Sequence, residues 1–335
     1  MLYIYTDLKA VVNKSKGPTG LLKWIVDSLE NNNINYKIFS EAKELNILKN
    51  KSILIYPKHL HKNLSKKAKS LNKIIIIGPD STTIQIYSLI LYYFPFLRKV
   101  LFIKFIKDIF CICFDNIYNF KKSTNLLVGI EDVNFLNNSG GNYKELTHPF
   151  LSSTKLKKPL LPENINYKDL VIIGKLKGLP VAYRNLEKPI EQFLIPKLIN
   201  SNRKLYIFES TGLNISDEYT KHQNIKIIRT NEDIPDDFFR SKIIVNMAIC
   251  GGGTANRSLS GLYDGGYLFS TKFGMRNINI TTFENRVKIS RFYPFNKRFY
   301  DEILNNKFES FNKKNLKIIH LINDNSERIL INNLK

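Results

Sequence analysis

Four short apolar runs near the start of the chain set the strongest limit on its fold: LYIY (2–5), YKIF (36–39), SILIYP (52–57) and KIIIIGP (73–79). They are near-continuous rather than alternating, as in strands buried on both faces, and such strands belong to parallel sheets covered by helices above and below. The segments between them fit that arrangement. KGPTG (16–20) reads as a loop, and LLKWIVDSLENNN follows with apolar residues at Leu21, Leu22, Ile25, Val26 and Leu29, the spacing of one helical face. HKNLSKKAKSLN (61–72) reads as a basic helix. The pattern restarts further on. DLVIIGKL (169–176), KLYIFES (204–210), IKIIR (225–229), KIIVNMA (242–248) and YLFST (267–271) read as strands. EKPIEQFLIPKLINS (187–201), DIPDDFFRS (233–241) and NRSLSGLYD (256–264) read as helices. Two successive alternations predict an α/β chain with two doubly wound parallel sheets.

The stretch between the two alternations divides them. Residues 82–114, TTIQIYSLILYYFPFLRKVLFIKFIKDIFCICF, are aromatic and aliphatic with Arg98, Lys99, Lys104 and Lys107 interspersed. They read either as a core helix followed by a buried strand or as a basic, aromatic element lying on a membrane surface. Pro95 breaks any single helix there. NLLVGIEDVNF (125–135) reads as a strand and loop. NYKELTHPFLSSTKLKKPLLPENINYKD (142–169), rich in Pro, Ser and Lys, reads as a linker with the domain boundary near residue 155. The expected organisation is an N-terminal domain at 1–155, a C-terminal domain at 156–290 and a helical tail at 291–335. Within the tail KIIHLI (317–322) is helix or strand, and a return of the tail to the first domain stays open.

Composition narrows the function classes. Lys and Arg number 51 against 29 Asp and Glu, a net charge of +22, which favours anionic partners such as nucleotide phosphates, nucleic acid or an acidic membrane surface. The same excess also follows from compositional drift, since Lys, Asn and Ile are abundant throughout. No zinc-finger spacing and no aromatic RNA-reading strand accompanies the charge, so a nucleic-acid partner is not expected. Cys111, Cys113 and Cys250 form neither a disulfide framework nor a zinc set, and they fit a reducing, cytoplasmic compartment. The N-terminus lacks the pattern of a signal peptide, and no uncharged apolar run reaches the ~18 residues of a spanning helix.

The chemistry concentrates in CGGGTANRSLSGLYDGGYLFST (250–271). A loop at the carboxyl end of a parallel strand, built from Gly251, Gly252, Gly253 and Thr254, lets main-chain amides approach an anion. The helix beginning near Thr254 or Asn256 turns its positive dipole end to the same place, and Arg257 adds a guanidinium able to grip a phosphate at two points. Gly265 and Gly266 end the helix. A tight turn with no ligand is the competing reading. The spacing matches neither the ATPase loop nor the dinucleotide fingerprint.

These residues resemble the donor site of GT-B glycosyltransferases of the large retaining group, the family 4-like enzymes of bacterial and viral surface glycans. In that group a glycine-containing loop precedes a helix and a further small-residue turn, here Gly265-Gly266-Tyr267-Leu268. VIIGKLKGLPVAYRNLEKPIEQFLIPKL (171–198) is similar to the strand, basic loop and helix that open the group's second domain, with Arg184, Asn185 and Lys188 in the basic positions. KGPTGLLKWIVDSLENNNINYKIF (16–39) is similar to its first glycine loop and helix, making Gly17, Pro18, Thr19 and Gly20 an acceptor-side loop. The resemblance implies two Rossmann-like domains facing a cleft and no metal or cofactor beyond a nucleotide-sugar co-substrate. It also implies a glycan or lipid-linked acceptor, within capsule or lipopolysaccharide synthesis and possible at an anionic membrane surface. One departure stands out: Ser260 and Gly252 occupy positions where many members carry glutamates, so the resemblance does not carry the donor sugar or the retaining outcome over to this chain.

The donor set expected on this basis is Arg184, Asn185, Lys188, Gly252, Gly253, Thr254, Asn256, Arg257 and Ser260. His148, before Pro149 at the domain junction, is the candidate proton acceptor, with His59, His61 and Asp7 as lesser ones. The pair His148-Pro149 also resembles that of GT-B sialic-acid and Kdo transferases, which use CMP-sugars. Two rival classes stay open: a non-catalytic module of the same fold, and a basic nucleic-acid-binding protein.

Overall fold

The computed structural model describes residues 1–7, 17–78, 81–101, 103–115, 117, 123–146, 167–174, 186–229, 234–235, 238–249, 256–278, 286–305 and 327–334. They form two compact units.

The first unit runs β1 (Leu2–Tyr5), α1 (Gly17–Asn31), β2 (Tyr36–Phe39), α2 (Ala42–Leu45), β3 (Ser52–Ile55), α3 (Lys66–Leu71), β4 (Lys73–Gly78), α4 (Thr82–Tyr93), α5 (Arg98–Leu101), α6 (Lys104–Asp115), β5 (Thr124–Val128), α7 (Ile130–Asn137) and β6 (Tyr143–Leu146). Its sheet has the order β2-β1-β3-β4-β5-β6, with every pairing parallel. The near-continuous apolar strands sort their side chains by alternation onto two buried faces. Leu54, Tyr56, Ile75 and Ile77 join the buried stripe of α1 (Leu21, Leu22, Ile25, Val26, Leu29). Ile53, Ile55, Ile74 and Ile76 face the opposite layer with Leu45, Leu60, Cys111 and Leu136. Each such side chain, once fully buried, is worth roughly 1.5–3 kcal/mol. A closing helix at 327–334 adds Leu330, Ile331 and Leu334 to the α1 side, so this end of the chain is part of the first unit's core.

The second unit runs β7 (Asp169–Ile173), α8 (Glu187–Pro189), α9 (Ile195–Ile199), β8 (Leu205–Phe208), α10 (Asp217–Thr220), β9 (Ile225–Ile228), β10 (Lys242–Asn246), α11 (Asn256–Tyr263), β11 (Tyr267–Ser270), β12 (Val287–Ile289) and α12 (Lys297–Asn305). Its order is β12-β11-β10-β7-β8-β9, again wholly parallel. Helix α12 completes this core: Phe299, Tyr300 and Ile303 are buried, the Phe299 ring lies 5.2 Å from Phe269, and Lys197 Nζ meets Asp301 2.7 Å away.

The α/β class with two doubly wound parallel sheets is as expected, but several local readings need correction. Residues 17–20 form the first turn of α1 rather than a loop. The second half of the 82–114 stretch is helix, not strand: α4 stops at Tyr93, a 3-10 turn spans Pro95–Leu97, and α6 follows. Its inward residues Cys111 and Asp115 sit four apart, a helical spacing hidden by apolar residues on the outer face. The loop expected after β5 is α7, and the start of the expected linker is β6, a short edge strand with polar residues. The basic helix expected at 61–72 is a 3-10 turn over Lys58–Asn63 followed by α3, whose cap Ser65 accepts from the Ala68 amide at 3.1 Å. Residues 238–240 of the helix expected at 233–241 form a turn instead. The helix expected at 187–201 widens into a π turn at Ile190–Leu194 just before Pro196, which has no N–H to give to the preceding turn. Residues 147–166 of the expected linker and KIIHLI lie outside the described residues, and Asp169 at the linker's end opens β7.

A buried ion pair locks the helical insertion to the first sheet. Asp115, 1% exposed, accepts from Lys58 Nζ at 2.5 Å, Ser81 Oγ at 2.8 Å, and the Thr82 and Thr83 amides at 3.0 and 2.9 Å. Asp132 takes the Ser81 amide at 2.8 Å. The end of α6 thus caps the start of α4. Burial works to raise the Asp115 pKa, but Lys58 and the hydrogen bonds outweigh it and hold the carboxyl below its ordinary 3.8. Lys58→Met leaves this carboxylate unpaired and is expected to cost about 3–5 kcal/mol in urea unfolding. Because the folded pKa is depressed, the stability Asp115 supplies is present above pH 3.8 and lost as pH falls through the lower folded value. The stability gap between wild type and Asp115→Asn should therefore shrink only on the acid side; a gap independent of pH there would contradict the assignment.

Candidate functional site

In an open α/β sheet, ligands gather outside the carboxyl ends of the strands, where the strand order reverses. In the second sheet the reversal falls between β7 and β10. Gly174 follows β7 there, and a Cβ on it would stand 3.5 Å from Asn246 Oδ1 at the end of β10. Asn246 is 1% exposed and is the hub of this edge. Its Nδ2 donates to Ser258 Oγ at 2.9 Å and to the Gly274 carbonyl at 3.3 Å, while its Oδ1 accepts the Ala248 amide at 3.0 Å. One side chain thereby ties β10, the first turns of α11 and the turn after β11 together. It is absent from the expected set, and a lone amide ending an apolar strand is the one signal of it in the sequence.

Helix α11 begins at Asn256, one of the two starts expected, so its amino end lies at this carboxyl edge. It seats directly on β10 because Gly261 has no side chain: a Cβ there would collide with Ile244 Cδ1. Gly265 ends the helix with φ +90°, and the Gly266 amide returns to the Gly261 carbonyl at 2.8 Å. Arg286, 1% exposed, donates to the Leu262 carbonyl at 2.5 Å, setting a cation at the negative end of α11; burial pulls its pKa down to about 10.

Arg257, in the first turn, lies half-buried with its guanidinium 4.6 Å over the Phe208 ring at the end of β8. Its Nη1 donates to Ser210 Oγ at 2.5 Å. Burial lowers its pKa, and no carboxylate of the described residues pairs with it. A partly dehydrated cation aimed by a ring and a hydroxyl, beside a helix amino end, is suited to a phosphate. Ser258 is buried in the Asn246 network, and Ser260 is half-buried on the same helix.

The other expected donor residues are distributed as follows. Lys188 is exposed on α8, whose neighbour Glu187 accepts the Asn214 amide at 3.1 Å. Asn256 opens α11. Arg184, Asn185, Gly252, Gly253, Thr254 and His148 lie outside the described residues, and Gly17, Pro18, Thr19 and Gly20 are described only as the first turn of α1.

The first sheet has its own reversal, between β1 and β3. Two of the lesser candidates meet there. Asp7 follows β1, His59 lies in the turn after β3, and His59 Nε2 stands 3.3 Å from Asp7 Oδ2, both side chains being exposed. His61 points elsewhere: it is 4% exposed, and burial drives its pKa down to about 4, which makes it a neutral core residue. Among the described residues no group of three or more His, Cys, Asp and Glu could hold a metal ion.

No family model and no curated protein sequence matches the chain. Solved structures do resemble it. An apo structure of OtsA matches with a TM-score of 0.57 and 11% identity over 100% of this chain and 98% of that one. A trehalose-6-phosphate synthase studied with bisubstrate glycomimetics matches at 0.51 and 10%, over 99% and 95%. Anabaena HepE in complex with UDP matches at 0.50 and 10%, over 99% of both chains. These likenesses establish the GT-B fold.

Asn246→Ala strands the buried Ser258 hydroxyl and Gly274 carbonyl and frees the amino end of α11. It is expected to cost about 1–3 kcal/mol in urea unfolding; a cost near zero would show that the amide is not the hub.

Proposed function

We propose that the chain is a GT-B glycosyltransferase that moves a sugar from a nucleoside diphosphate to an acceptor hydroxyl. The observation that carries this reading is Arg257: a half-buried guanidinium without a described carboxylate partner, at the amino end of a helix on the carboxyl edge of a doubly wound sheet. The solved structures of the same fold include HepE in complex with UDP and a trehalose-6-phosphate synthase, which agrees with a nucleotide-sugar donor.

In this reading the bond between the anomeric carbon and the diphosphate oxygen breaks, and the diphosphate leaves with added negative charge. Arg257 and the first amides of α11 stabilise that charge, which needs no metal ion. A bond forms between the acceptor oxygen and the anomeric carbon, and the hydroxyl proton passes to a base. The acceptor is a glycan or lipid-linked sugar of a surface polymer, by the resemblance of the sequence to that group.

A thermal-shift series with UDP, GDP, TDP, CMP and their sugars tests the donor. One nucleoside diphosphate should stabilise the protein by about 2.7 kcal/mol at one hundred times its dissociation constant. Arg257→Ala should weaken that ligand roughly tenfold or more through loss of a charged hydrogen bond. No response to any nucleotide, or an unchanged response in the variant, contradicts the reading.

A further inference from the structure

The insertion between β4 and β5 presents its apolar side chains outward. Helices α4 and α6 run antiparallel, held by Thr83 Oγ1 donating to the Phe110 carbonyl at 3.2 Å and by the Tyr87 and Phe110 rings at 5.0 Å. On α6 the inward residues are Cys111 and Asp115, both buried. The opposite stripe, four residues apart, is Phe105, Ile109 and Cys113, all exposed. A helix on a sheet ordinarily turns charge to water along that stripe. The connection from α4 continues the pattern, with Phe94, Phe96, Val100 and Ile103 exposed. Phe96 and Phe105 are 74% and 72% exposed, so packing within the fold does not account for them.

The concentration is local. Of thirteen exposed large hydrophobic side chains among the described residues, seven lie between Phe94 and Phe114. Arg98, Lys99 and Lys104 are exposed among them, and no described carboxylate pairs with any of the three. Lys107 is turned inward over the Phe135 ring at 4.4 Å. The one carboxylate of the segment, Asp108, is half-buried with its Oδ1 out of solvent. The outer face therefore offers rings, aliphatic chains and cations, with no exposed carboxylate.

We propose that this face docks on the surface of an anionic lipid bilayer, with the phenylalanines in the boundary between headgroups and acyl chains and the cations on lipid phosphates. Charge selects the occupant. A second copy would set the same cations against cations on a chain of net charge +22. A nucleic acid would have no use for Val100, Ile103 and Ile109, which neither stack on bases nor hold phosphate. Aromatic and aliphatic groups mixed with Lys and Arg are what an interfacial element needs. The element lies on the membrane rather than through it, since no helix of the described residues is long and apolar enough to cross one. This inference goes beyond the nucleotide reading and does not depend on it.

Co-sedimentation of the full chain with phosphatidylcholine vesicles, with and without phosphatidylglycerol, tests it at low and at molar salt. The protein should sediment with the anionic vesicles at low salt and be released by salt. Replacing Arg98, Lys99 and Lys104 by Gln should lower partitioning roughly fivefold per charge. Phe96→Ser with Phe105→Ser should lower it roughly tenfold or more. Both variants alter exposed residues, so far-UV melting should match wild type, and any nucleotide response should be unchanged. Absence of sedimentation, equal binding to phosphatidylcholine alone, or wild-type binding by both variants overturns the proposal. A concentration-dependent dimer in ultracentrifugation that Phe96→Ser abolishes would give the face to a second copy and overturn it as well.

Discussion

Both units depend on one constraint: a parallel sheet buries its two faces, so polar chemistry is driven to its edges. Strands β3, β4, β7 and β10 carry almost nothing but Ile, Leu and Val through their middles. The polar groups appear where strands end, as Asp7 after β1, His59 after β3 and Asn246 closing β10. The reversal of strand order then decides which of these ends stand together. It selects β1 with β3 in one sheet and β7 with β10 in the other, and those are the places where an Asp–His pair and the Asn246 hub occur.

The two units use helix amino ends differently. In the first, the start of α4 is occupied by the protein's own carboxylates, Asp115 and Asp132, and the compensation is internal. In the second, the first turn of α11 has no acidic residue. Asn246 fixes the helix through Ser258, and Arg257 adds a positive charge instead of removing one. A helix end closed by carboxylates stabilises a fold, whereas one reinforced by a cation accumulates positive potential that an anion can answer.

The buried strands and the Leu21 to Leu29 helical stripe are legible in the sequence because apolar runs and helical period are local properties. So is the glycine-bounded helix α11, whose end at Gly265 follows from its left-handed backbone. Elements at the margins are not. β6, with the sequence YKEL, is an edge strand of mixed polarity and resembles a linker; α7 follows a strand so closely that its first turn passes for a loop. Helix α6 passes for a strand because apolar residues on its outer stripe conceal the inward spacing of Cys111 and Asp115. At the candidate site, Arg257 is legible from its place after the glycines. Asn246 and Arg286 are not, since both act through contacts with residues distant in sequence. The meeting of Asp7 and His59 likewise depends on β1 and β3 being neighbours, a fact of topology rather than of spacing.

The central claim is that the carboxyl edge of the second sheet holds a diphosphate through Arg257 and the start of α11. Calorimetric titration with a nucleoside, its monophosphate and its diphosphate tests it most directly. The account predicts a roughly tenfold or greater gain in affinity on adding the second phosphate, because that group brings a charged hydrogen bond to the guanidinium, and a gain that diminishes with salt. Equal affinity for the monophosphate and the diphosphate, at low salt and at high, would contradict it.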